Sequence, residues 1–240
     1  MSSSAQRRPE ILRLAAELGF VLGLALALGA CASGAFRPQN LAKTEVDQVT
    51  DLHIRTQEAL LRELALKLYR RNPRELRKQP GQTLEKRLQQ LFGQPGELRF
   101  EELGGRQSID AMLLAFDESY AGDRVFALMA GLTDMIRRAY GYKSEFFAFD
   151  ALDQQKLYNS ARNIEVLVWR LSHKRDARGE PFLLTNEAGD AGQPENLSFE
   201  RLFGKMIALQ DMMAEITADS SNRAINRVVQ GAATMIFLPI

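Results

Sequence analysis

Between residues 123 and 141 the apolar positions Val125, Leu128, Met129, Leu132, Met135, Ile136 and Ala139 recur at i, i+3, i+4 and i+7. That spacing lines one face of an α-helix. Asp123 stands where an N-cap belongs and Gly141 where the helix should end. Gly131 interrupts the run, and in a helix it costs about 1 kcal/mol relative to alanine. Its presence predicts a close helix crossing that offsets the cost. The same period marks residues 43–71 through Val46, Val49, His53, Leu60, Leu64 and Leu68, with Thr44 and Asp47 spaced as a capping box. Glu58/Arg62 and Glu63/Lys67 add i,i+4 pairs in the favourable order.

Asn72-Pro73 stops that helix and starts a short one, with Asn72 as cap and Pro73 in the first turn. After the Pro80-Gly81 break, Thr83 caps a helix that turns Leu84, Leu88, Leu91 and Phe92 inward. Residues 93–106 form a Gly-rich loop with Leu98 and Phe100 as anchors, and Ser108 opens a segment with Ile109, Met112, Leu113 and Phe116 on one face. Asp150 is the expected cap of a helix over 151–174, where Leu157, Ala161, Ile164, Leu167, Val168 and Leu171 form the stripe. Ser198 opens the last helical region, with Phe199, Leu202, Phe203, Met206, Leu209, Met213 and Ile216 inward. A break at 219–222 follows, and Ile225, Val228, Val229 and Ala232 resume the pattern. Stripes of this kind must be buried against one another, so the expected fold is all-α, an irregular bundle of six or seven helices. Residues 176–197 are irregular and long for a structureless loop. Within them only 181–185 reads as extended, and with the apolar tail 235–240 it predicts a minor two-strand ribbon.

The first thirty residues follow a different pattern. Arg7, Arg8 and Arg13 precede an uncharged run at 18–30, LGFVLGLALALGA. As a helix it would span about 20 Å, short of a hydrocarbon core of about 30 Å. A basic start followed by a short apolar run is the layout of an export signal, although Glu10 and Glu17 are unusual in one. The run ends in Leu28-Gly29-Ala30-Cys31, an aliphatic residue, two small ones and the sole cysteine of the chain. This resembles the bacterial lipoprotein box. The resemblance implies cleavage before Cys31, a diacylglycerol thioether on its sulfur and acylation of the new amino group. Two or three acyl chains are needed, because one alone holds a protein to a membrane weakly. Ala32 in place of aspartate implies passage to the outer membrane, with the inner membrane as the alternative. The chain then divides into a signal peptide (1–30), a lipidated tether (31–42) and a helical domain (43–240).

Beyond Ala30 the chain holds 28 basic and 28 acidic residues. This balance argues against a nucleic-acid partner, which needs a basic footprint. The two histidines, His53 and His173, lack metal-ligand spacing and read as structural. No nucleophile elbow, phosphate-cradling loop or calcium loop is present. No catalytic residue, cofactor or metal is expected, and the chain does not read as an enzyme. Three local features have two readings. Arg70, Arg71, Arg74, Arg77 and Lys78, opposed by Glu75, are a solvated helix end or a contact for anionic headgroups. Tyr140, Tyr142, Phe146, Phe147 and Phe149 are core filling at a helix corner or a partner groove. Met206, Met212 and Met213 read as core.

The stretches GDRVFALMAGLTDMIRRAYGYKSEFF, QKLYNSARNIEVLVWRLS and LSFERLFGKMIALQD resemble a group of proteobacterial lipoproteins without an assigned activity. This implies an envelope protein and transfers no functional residues. The expected role is a structural or adaptor component of a membrane-associated assembly, held by acylated Cys31 and contacting an envelope protein partner. The alternative is a lipoprotein that binds a lipid or small apolar ligand between its helices.

Overall fold

The computed structural model describes residues 43–147, 150–186, 196–227 and 235–240. Seven α-helices run through them: α1 (Glu45–Arg71), α2 (Pro73–Arg77), α3 (Leu84–Phe92), α4 (Ser108–Leu114), α5 (Arg124–Ala139), α6 (Gln154–His173) and α7 (Ser198–Ser221). The fold is all-α, and Lys43–Ile240 is one compact unit.

Local chemistry accounts for most of the helix starts. At α1 the Thr44 hydroxyl accepts from the Asp47 amide at 3.2 Å, while the Asp47 carboxylate accepts from the Thr44 amide at 2.7 Å. Thr83 caps α3 and Asp123 caps α5 in the expected positions. The start of α6 differs from expectation. Asp153 caps it, accepting from the Gln155 and Lys156 amides, whereas Asp150 accepts from the Phe147 amide at 3.0 Å and pairs with Lys143. Near neighbours upstream thus take the first of two aspartates that both precede the apolar stripe.

Helix α5 is the centre of the bundle. Every residue from Val125 to Ile136 is buried, so the helix has no solvent stripe along that length. The face opposite Leu128 and Leu132 is built from Ala127, Ala130, Gly131 and Asp134, residues that hydropathy alone assigns to a surface. Small side chains there let α4 pack closely, while α1, α3 and α6 contact other sides of α5. Asp134, fully buried, receives the Leu98 amide at 3.0 Å and pins the 93–106 loop to the helix. Helices α6 and α7 form the second extensive pair, and α1 bridges α5 and α7.

No strand forms among the described residues, where the β-type contact is an isolated bridge between Arg175 and Pro181. The expected ribbon between 182–185 and 235–240 is therefore not observed, and the reason is specific. Each segment is clasped by a side-chain amide from a helix or helix end. Asn72 accepts from the Leu184 amide at 2.8 Å and donates to the Leu184 carbonyl at 2.9 Å. Asn163 treats Leu238 the same way, at 2.6 and 2.8 Å. Gln155 repeats the device on Asn226, at 2.8 and 3.2 Å. A carboxamide presents the donor and acceptor that a neighbouring strand would, so the backbone is satisfied without a ladder. Asn72 consequently makes no side-chain cap on α2, which opens on Pro73. The expected resumption of helix after residue 222 is also absent over 223–227; its later positions, Val228, Val229 and Ala232, lie outside the described residues.

Candidate functional site

Two buried polar clusters interrupt the apolar core. The first centres on Arg87 of α3, whose side chain is fully buried. Its guanidinium forks onto Glu102 at 2.6 and 2.9 Å, reaches Asp123 at 3.2 Å and lies 3.9 Å from the centroid of the Phe126 ring. The Tyr69 hydroxyl donates to Asp123 at 2.9 Å. Burial is the largest influence on both acidic groups, pushing the Asp123 carboxyl and the Tyr69 phenol upward. Asp123 also accepts from the Phe126 amide, so this carboxylate is at once helix cap and ion-pair partner. The cluster ties α1, α3, α5 and the Glu101–Leu103 turn together. With its guanidinium enclosed by protein, it works as an internal brace.

The second cluster lies where α1, α5, α6 and α7 meet. Tyr140 donates to Gln210 Oε1 at 2.7 Å, and Gln57 Nε2 donates to the same oxygen at 3.2 Å and to the Met206 carbonyl at 2.8 Å. Gln210 Nε2 donates to Ser160 at 2.6 Å, and the Ser160 hydroxyl passes on to the Leu157 carbonyl. Gln57, Ser160 and Gln210 are nearly or fully inaccessible. A signal for both clusters existed in the sequence. Gln57 is i+4 from His53, Gln210 is i+4 from Met206, and Arg87 is i+3 from Leu84. Each is a polar residue in a core register.

Cys31 lies outside the described residues, as does Phe149 of the aromatic cluster. Within that cluster Tyr140 and Phe146 are buried, Tyr142 is half-buried and Phe147 is exposed, so its inner members fill the helix corner. Met206 and Met213 belong to the core, but Met212 is 49 % exposed and Val49 of α1 is 37 % exposed, so these two leave their expected stripes. The basic patch is partly neutralised from within. Glu75 is buried and accepts from Lys78 at 2.7 Å, from the Arg124 amide at 2.9 Å and faces Arg74 at 3.5 Å. The neighbouring groove of about 480 Å³ sets Arg74, Lys78, Arg124 and Arg178 against Glu75, Glu118 and Asp176. It is open and mixed in charge, four cations against three carboxylates.

His173 stacks on Trp169, with ring centroids 5.0 Å apart. His53 is buried, and burial lowers its pKa below the ordinary 6.5 against an opposing contribution from the Leu209 backbone. A histidine kept neutral in the fold contributes stability that is complete above about pH 6.5 and is lost as pH falls below it, because the unfolded chain then binds the proton preferentially. The midpoint of thermal unfolding should drop between pH 7.5 and pH 5.5, and the drop should be smaller in His53→Gln, measured by circular dichroism at both pH values.

No group of three metal-ligating side chains converges among the described residues, and no helix among them is long and apolar enough to cross a membrane. Comparison with protein-family models, with curated proteins and with solved structures finds no match to this chain.

Proposed function

We propose that this chain is a bacterial lipoprotein, anchored through acylated Cys31 to the outer membrane on its periplasmic side, whose helical domain is a structural or adaptor component of a membrane-associated assembly. The observation that carries the proposal is the Leu28-Gly29-Ala30-Cys31 box holding the sole cysteine, placed ahead of a compact helical unit. A carrier of lipid needs a largely enclosed apolar cavity of about 300–1,000 Å³. The described grooves of about 480 and 530 Å³ are open and lined by charged side chains. Open, charged grooves of this kind favour the adaptor role over the carrier role. Anchoring in two dimensions raises the effective concentration of the domain toward any membrane-bound partner.

Two measurements test this. Cys31→Ala should leave the signal uncleaved or release the protein from the membrane fraction, and intact mass of the wild-type mature chain should show the acyl additions. A mature-length Cys31→Ala protein that still sediments with membranes overturns the anchor. Crosslinking in intact cells should recover one or two stoichiometric envelope proteins, whereas recovery of the chain alone overturns the adaptor role.

A further inference from the structure

Helices α1 and α7 run antiparallel. The Thr50 hydroxyl lies 3.8 Å from the Met213 sulfur, and Gln57 Nε2 donates to the Met206 carbonyl at 2.8 Å. This register puts Leu52 level with Met212. Successive residues of a helix turn by about 100°. On α1, Ile54 and Leu61 therefore flank the contact line on the side of the core, and Val49 and Leu52 flank it on the other. On α7, Gln210 turns to the core, and Leu209, Met212 and Ile216 turn the opposite way. The outer side of the seam is thus an apolar strip built by both helices. Leu209 and Ile216 are half-buried in it, while Val49, Leu52 and Met212 are 37, 56 and 49 % exposed. Single exposed apolar side chains are ordinary on a protein surface, but a contiguous strip across two helices marks a contact face.

Charge decides what the strip fits. Lys205 and Asp219 stand seven residues before and seven residues after Met212. Seven residues fall within about 20° of two full turns, so both charges share the face of Met212, each about 10.5 Å from it along the axis. Both are exposed, and neither is in an ion pair among the described residues. Their neighbours are already engaged: Asp211 holds Arg162 at 2.7 Å, and Glu215 holds Arg227. One cation and one anion placed symmetrically about an exposed methionine are self-complementary. Two copies of α7 laid antiparallel, with Met212 at the crossing, bring Lys205 of each beside Asp219 of the other and Leu209 of each against Ile216 of the other. Leu52, level with Met212, repeats under the same two-fold. Glu45 then falls opposite Ala59 of the second copy rather than opposite another acid. Anionic lipid headgroups match this face poorly, because the exposed acids Glu45, Glu215 and Asp219 border it.

We infer that this strip pairs with the same strip of a second copy of the chain, through an isologous two-fold contact of α1 and α7. The pairing needs neither the anchor nor the adaptor role.

The test uses the full chain with Cys31→Ser, so that no acyl group forms, in a density-matched nonionic detergent that covers the apolar run at 18–30. Sedimentation equilibrium from micromolar to submillimolar concentration should show a monomer–dimer equilibrium. Leu52→Lys and Met212→Glu, both at exposed positions, should each raise the dissociation constant by about tenfold or more. Lys205→Glu or Asp219→Lys should raise it about fivefold, since each breaks two exposed ion pairs. The double variant Lys205→Glu, Asp219→Lys should restore the wild-type value, because the exchanged charges meet again across the two-fold. Each variant should keep the wild-type unfolding midpoint by circular dichroism, which separates a lost contact from a lost fold. Mild oxidation of Met212→Cys should give a disulfide-linked dimer, whereas Arg201→Cys, exposed on the same helix but far from the crossing, should not. A monomer at every concentration, association that none of these substitutions weakens, failure of the double variant to restore it, or a monomer that binds phosphatidylglycerol vesicles through Met212 overturns the inference.

Discussion

Arg87→Ala should lower stability by about 3–5 kcal/mol, the range for removing one partner of a buried ion pair. For a chain of this size that corresponds to a fall in Tm of roughly 6–20 °C, at about 2–4 °C per kcal/mol. The size of the effect follows from what remains behind. Asp123 is fully buried and Glu102 mostly so, and both look to the same guanidinium. Without it, two carboxylates face each other in a medium that solvates neither. Arg87→Lys should fall between, because an ammonium keeps the charge but cannot fork onto both oxygens of Glu102 while reaching Asp123. Two controls separate uncompensated charge from lost packing. The deficit of Arg87→Ala should shrink when unfolding is followed near pH 4.5 instead of pH 7, since protonation discharges the stranded carboxylates. The triple variant Arg87→Met, Glu102→Gln, Asp123→Asn should recover most of the loss, because methionine refills the volume above Phe126 and asparagine still caps α5. A deficit that is unchanged at low pH and not rescued by the triple variant would assign the role of Arg87 to packing alone.

The parts of the fold that could be read from the sequence are those settled within a few residues. Thr44 with Asp47, Thr83 and Asp123 cap their helices because the amides they satisfy are their own near neighbours. The stripes of α6 and α7 were legible because the other positions of α6 are in part only half-buried and α7 keeps an exposed face. What was not legible depends on contacts far along the chain. Asn72 looks like a cap until Leu184, 112 residues away, takes both of its amide groups. The tail 235–240 looks like a strand until Asn159 and Asn163 supply the bonds that a strand would have made. On the small-residue core face of α5, Gly131 was legible as the mark of a close crossing, whereas Ala127 and Ala130 were hidden because smallness rather than hydrophobicity qualifies them for burial. Gln57 and Thr133 were hidden for a related reason. A polar residue in an apolar register announces that something must satisfy it, but the partner, or its absence, appears only once α1, α5 and α7 are assembled.

That small-residue face leads to the second large effect. A Cβ built on Gly131 would lie 2.4 Å from the Ser108 carbonyl oxygen and 2.5 Å from the Met112 amide nitrogen. Both are backbone atoms of α4, so no rotamer change relieves the contact. The helix itself is poorly placed to retreat, because Ser108 at its start holds a left-handed φ of 49° and Met112 is packed in the core. Gly131→Ala should therefore destabilise by about 1–3 kcal/mol, the range for overpacking, despite a helix propensity that favours alanine by about 1 kcal/mol. Gly131→Val should cost more, because its second methyl meets the Met112 side chain, whose Cγ already lies 2.7 Å from the Cβ position. Gly204, on the exposed face of α7, supplies the contrast: a Cβ there meets nothing within 4 Å. Gly204→Ala should stabilise by up to about 1 kcal/mol from helix propensity and reduced unfolded-state entropy. In urea denaturation the midpoint of Gly131→Ala should fall and that of Gly204→Ala should rise, with slopes unchanged. Two glycines in helix interiors would then carry opposite signs for one reason, the distance to the next backbone. If Gly131→Ala were as stable as the wild type, the α4–α5 crossing could not be as tight as the Ser108 and Met112 contacts require, and the burial of that face of α5 would need another explanation.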